Sequence, residues 1–148
     1  MHFILVDSHI LPTPAERDEK NEYHYNAEAT EQIKMQLLEK RGVTIGFQAD
    51  SWRPDQTFDK EGVYISNQWA HYTWDNSGTN HAVTIIGWDD NYPKENFIEG
   101  HQPPENGAWL VKNSWGCVNA ENPADRHNPA PVLLHENHKS VHLTHSLP

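Results

Sequence analysis

Two residues stand where burial alone would not put them. His81 opens the apolar run Ala82-Val83-Thr84-Ile85-Ile86, and Asn113 closes the run Trp109-Leu110-Val111-Lys112. If the two runs pair as strands, an imidazole and a carboxamide meet. A hydrogen bond between them would fix the ring's orientation and tautomer, as the orienting member of a nucleophilic triad does. A histidine held in this way moves protons for a nucleophile, and the one cysteine of the chain is Cys117. It follows Asn113 on the same segment rather than facing His81. No helix N-terminus is predicted there to lower its pKa, so Cys117 is not read as the nucleophile.

The elements that must position this pair can be read around it. Asn26 is a plausible N-cap, with Glu28 and Glu31 in the early turns where the helix dipole favours acids. Ala29, Ile33 and Leu37 recur every four residues and Leu38 widens the stripe. Lys40-Arg41 in the last turn and Gly42 as the stop signal give a helix over about residues 27–41. Residues 43–49 alternate as a strand, and Gly62-Val63-Tyr64-Ile65 is a short strand candidate. Residues 66–80 form a loop whose Trp69, Tyr72 and Trp74 anchor it to its own domain rather than stack on a ligand. His81 to Trp88 and Ala108 to Asn113 are strands, separated by a polar excursion carrying Pro93, Pro103 and Pro104.

The ends of the chain read differently. Phe3 to Val6 suits a short strand, Pro12 and Pro14 then break regular structure, and residues 15–25 read as an exposed connection. Residues 117–148 carry Pro123, Pro129, Pro131 and Pro148 and five of the eleven histidines, and read as a disordered His/Pro-rich tail. On a helix His135, His138, His142 and His145 would share a face able to bind Zn²⁺. Asn137, Val141 and Thr144 are poor helix formers, so a solvated tail is the expected reading and no metal site is assigned. Asp89, Asp90, Asn91 and Glu95 lack calcium-loop spacing and read as a strand-terminating turn. No cofactor is implied.

The formal charge of −10 argues against nucleic acid or an anionic membrane as partner, since both require a basic face. No run is long enough to insert into a membrane, and the first residues lack the basic region of a signal peptide.

Asn80-His81-Ala82-Val83 and Asn113-Ser114-Trp115-Gly116 together resemble the C-terminal lobe of a papain-like cysteine peptidase. The order of elements agrees over residues 26–116. The long insert after Gly87-Trp88-Asp89-Asp90 is similar to that of bacterial members. The resemblance implies that His81 is the catalytic histidine, which pairs with a cysteine thiolate and then protonates the leaving amine. It implies that Asn113 orients that imidazole and that Trp115 shields their contact from water. It also implies that Gly46, Ala49 and Ala82 fall near the main specificity pocket.

The chain departs from the family pattern in two places. No Gly-Ser-Cys-Trp segment and no oxyanion-hole glutamine precede residue 26, so the Cys-bearing N-terminal lobe is not among these residues. Beyond Gly116 the family's Trp-Gly and Gly-Tyr signals are missing, and the closing barrel strands are expected to be absent or replaced.

The expected fold class is therefore α+β: one N-terminal helix packed on an antiparallel, barrel-like sheet, the right-hand lobe of a papain-like fold, incomplete. The expected organisation is residues 1–25 as lead-in strand and linker, 26–116 as the lobe and 117–148 as the tail. The expected function is peptide-bond hydrolysis on a peptide or protein substrate, with the missing Cys-bearing lobe as partner and the isolated chain inactive. The alternative is a non-catalytic, peptide- or protein-binding remnant. The resemblance points to a secreted or cell-surface setting.

Overall fold

Asn26 sets the start of the helix. Its backbone is extended and its side-chain oxygen accepts from the Ala29 N–H, so α1 runs Ala27–Leu38. A computed structural model describes residues 8–20, 22–50, 62–75, 77–114, 132–134 and 142–147. The helix buries Ala29, Thr30 and Ile33, and Leu37 is partly buried against the core. Leu38 faces solvent and does not extend the stripe. The helix also stops before the expected residue 41. Lys40 takes a left-handed φ of 63°, and Gly42 already belongs to the next strand. Glycine is needed there for closeness rather than as a helix stop: a Cβ on Gly42 would lie 2.7 Å from Thr84 Cγ2.

Residues expected to be a plain connection form a hairpin instead, β1 (Ala15–Arg17) and β2 (Tyr23–Tyr25). Its turn closes on Asp18, whose carboxylate accepts from the Lys20 and Glu22 N–H groups and contacts His24. Asp and Asn side chains that satisfy nearby N–H groups are a common way to build such turns, and hydrophobic periodicity does not reveal them.

Among the described residues the main sheet has six strands: β3 (Gly42–Phe47), β4 (Ala70–His71), β5 (His81–Asp89), β6 (Ala108–Lys112), β7 (Val132–Leu134) and β8 (His142–Leu147). Their spatial order is β4-β7-β6-β5-β3-β8, and every pair except the parallel β4–β7 is antiparallel. The sheet is open rather than closed into a barrel. The architecture is α+β, one helix on a mainly antiparallel sheet, as expected.

Burial follows strand alternation. Val43, Ile45 and Phe47 of β3 and Val83 and Ile85 of β5 join Ile33, Ala49, Trp109 and Val111 in one core. Thr44, Gly46, Ala82 and Thr84 fall on the opposite face of the same strands. A bulge between Ile85 and Gly87 interrupts the pairing with β6 and leaves Ile86 51% exposed.

Two further expectations need correction. Residues 62–65 form no strand; Ile65 makes a single bridge to His71, and β4 appears inside the expected loop. That segment is fixed by Asp50, whose carboxylate accepts from the N–H groups of Val63, Tyr64 and Ile65. Second, residues 132–134 and 142–147 are strands of the main sheet and not tail. His142 and His145 lie on a strand, whereas His135 and His138 lie outside the described residues. The expected strand at Phe3–Val6 also lies outside them. Among the described residues no helix is long and apolar enough to cross a membrane.

Candidate active site

His81 is the first residue of β5 and Asn113 follows the last residue of β6, so the antiparallel pairing of these strands brings the two together. His81 Nε2 lies 2.8 Å from Asn113 Oδ1. The same oxygen accepts from the Ser114 N–H at 2.7 Å, which identifies it as the carbonyl end of the amide. An acceptor at that position requires Nε2 to carry the proton. The neutral ring is thus set as the Nε2–H tautomer, and Nδ1 is the nitrogen that can receive a proton. Asn113 Nδ2 is buried and makes no hydrogen bond among the described residues, so the ring contact and the turn to Ser114 hold the amide.

The residue before the histidine holds the neighbouring strand end. Asn80 Oδ1 accepts from the Ala49 N–H at 2.7 Å, and its Nδ2 donates to the Ala49 carbonyl at 3.0 Å. Its own N–H donates to the Phe47 carbonyl at 3.1 Å. One side chain therefore extends the β3–β5 pairing past the point where the ladder stops. The only trace of this role in the sequence is the adjacency of Asn80 to His81.

Two further rings are linked to His81. Phe47 meets His81 edge-on at 5.6 Å and also meets His71 edge-on at 4.9 Å. His71 is fully buried, and burial pushes its pKa down to about 3. A charge on His81 opposes a charge on His71 as well. His71 was missed in the sequence because it sits in an aromatic loop without periodicity.

The remaining candidates fall as follows. Gly46 and Ala82 are direct partners across β3 and β5, on the face opposite the core. Ala82 joins Thr44, Thr84, Lys112, Asn113 and Ser114 in lining an open groove beside the histidine. Ala49 lies within the main core cluster, 3% exposed, and not on that face. Trp115 lies outside the described residues, as does Cys117.

The long excursion between β5 and β6 is tied down by the aromatics that were expected to anchor a loop. Tyr72 and Tyr92 both pack edge-on against Phe97, and Trp74 stacks on His101 at 4.0 Å. The acidic residues at the end of β5 are already engaged: Asp89 accepts from the Asn91 N–H, and Asp90 pairs with Lys34 of α1 at 2.6 Å. A grouping with metal-ligand chemistry that the sequence did not single out is Asp18, Glu22 and His24 at the hairpin turn, with ligand atoms within 4.8 Å of one another. It is far in sequence from His81 and its Asp18 already caps the turn.

A family model described as papain family cysteine protease matches residues 11–122. The match begins upstream of the helix and takes in the hairpin. Solved structures of Cwp84, a clostridial cysteine protease, share the fold. One, a variant after propeptide cleavage, has a TM-score of 0.55 and 24% identity over 95% of this chain. Another holds the cysteine protease and lectin-like domains of the Clostridium difficile protein, a surface layer associated protein; it has a TM-score of 0.52 and 28% identity over 76% of this chain. The chain spans 29% and 22% of the length of those two. No curated protein sequence matches.

Proposed function

The chain belongs to the papain family of cysteine proteases, and on that premise we propose that residues 26–116 act as the histidine-bearing lobe of a peptidase. In this reading His81 is the base and acid, and Asn113 is its orienter. The 2.8 Å contact between His81 Nε2 and Asn113 Oδ1 carries the proposal. It leaves Nδ1 to take the proton from a cysteine thiol, forming a thiolate–imidazolium pair. The thiolate then attacks the scissile carbonyl, and Nδ1–H returns the proton to the departing amine. Trp115 is proposed to cover the His–Asn contact. Gly46 and Ala82 are proposed to offer a small-residue surface to the substrate side chain, while Ala49 supports them from the core side.

The nucleophile must come from a cysteine outside these 148 residues, since Cys117 shares the segment of the orienting asparagine. The substrate is a peptide or protein, and the required partner is the Cys-bearing lobe. The test is complementation. The chain is combined with a papain-like N-terminal lobe, and hydrolysis of a fluorogenic peptide is followed. Cleavage that vanishes in His81→Ala supports the proposal. Association without cleavage would instead make this a binding remnant, a reading favoured only by the lack of a suitably placed cysteine.

A further inference from the structure

We infer that His71 is a positioning residue for His81, acting through the Phe47 ring that contacts both. The inference rests on the reading of His81 as the proton-transfer group. Phe47 makes a ring contact with each histidine: His71 to Phe47 at 4.9 Å, and Phe47 to His81 at 5.6 Å, with interplanar angles of 87° and 71°. Phe47 and His71 are both fully buried, so neither ring can tilt without displacing the other. His71 also meets Tyr64 at 5.8 Å, and the Tyr64 hydroxyl is held by Asp75 and Ser77. The cluster is thus braced at Tyr64 and reaches His81 through Phe47.

An imidazole is an expensive filler for an apolar site. A leucine or phenylalanine would occupy it without the desolvation that a ring with two nitrogens incurs. A neutral imidazole at this spot contributes a flat, compact edge against Phe47 and adds no positive charge behind a histidine that must itself become positive. Tyr64 and His81 are the titratable rings facing it, and neither carries a negative charge at neutral pH that would draw a proton onto His71.

The experiment is imidazole ¹H–¹⁵N NMR of the full chain, reading the His81 ring-proton shifts and the ring tautomer. It requires no catalytic activity, so its failure is distinct from failure of the complementation. In the unsubstituted chain Phe47 displaces the His81 ring-proton shifts and the Nε2–H tautomer dominates. His71→Ala opens space beside Phe47 and is expected to move those shifts toward solvent-exposed values, with His71→Phe restoring them. Ile33→Ala opens a cavity elsewhere in the same core and serves as the control for general loosening. Unmoved His81 signals in His71→Ala, or an equal displacement in Ile33→Ala, overturn the inference. Should His71→Ala not fold, His71→Leu keeps the apolar volume without a ring. Displaced His81 signals there support the positioning role, and signals identical to the parent's overturn it.

Discussion

Asn113 Oδ1 contacts His81 Nε2 and accepts the Ser114 N–H at the same time, at 2.8 and 2.7 Å. One oxygen thereby ties the orientation of the imidazole to the backbone just past β6. Asn113→Ala should remove both ties. In the complemented enzyme kcat should fall by on the order of 100-fold, the scale set by misplacing a reacting group by about 1 Å. KM should change much less. Steady-state kinetics on a fluorogenic peptide measure the split, and an equal loss in KM would assign Asn113 to substrate binding instead.

Burial of His71 predicts acid sensitivity. Its pKa is about 3 in the folded chain and near the ordinary 6.5 when unfolded. Between those values the unfolded chain binds the proton that the folded chain refuses, so stability falls as pH drops below about 6.5, by at most about 1.4 kcal/mol per pH unit. Above that window the histidine exerts no pull. Urea midpoints from pH 7.5 to 4.5 should decline more steeply for the parent than for His71→Phe. Comparing the two removes the contribution of Asp50, whose carboxyl is raised by burial and runs in the opposite sense.

Asn80 should matter to stability before it matters to chemistry. Asn80→Ala loses two hydrogen bonds to Ala49 and leaves that strand end unpaired. The expected cost is about 1–3 kcal/mol, the penalty of an unsatisfied, partly buried backbone group. Denaturant unfolding monitored by tryptophan fluorescence checks it; a change within error would mean water replaces the amide at no cost.

Gly42 and Thr84 form a testable pair. A methyl group on Gly42 meets Thr84 Cγ2 at 2.7 Å, so Gly42→Ala should destabilise by about 1–3 kcal/mol through overpacking. Thr84→Ser removes the obstructing methyl and should recover most of that loss. The double-mutant cycle gives the coupling directly.

The pairing of His81 with Asn113 was legible because each polar residue broke an otherwise apolar run, and strand pairing then had few ways to arrange them. Helix α1 was legible for the same reason at its start, where Asn26 announces the cap. Its end was not. Gly42 looks like a helix stop in sequence, whereas the structure uses it for close approach to Thr84. The hairpin, β4 and the clamp of Asp50 on residues 63–65 depend on single side chains satisfying backbone N–H groups, which leave no periodic trace. Strands β7 and β8 were read as tail because their neighbours are rich in proline and histidine. Their place in the sheet depends on pairing with distant partners, to which local composition is blind. His71 is invisible for a related reason: its burial depends on Phe47, distant in sequence, and on a bend that folds Tyr64 back onto it.

The strand order carries a kinetic consequence. Strand β3 pairs with β5 on one side and with β8 on the other, and Gly42 faces Leu147 across the latter ladder. The loop closed by β3–β5 is far shorter than the loop closed by β3–β8, and long loops close later and at greater entropic cost. The His–Asn pair sits on β5 and β6, which are joined by a single excursion. Those strands can therefore associate while the chain beyond them is still being synthesised. The site would be assembled first, and the sheet's outer strand added to it as the last step of folding.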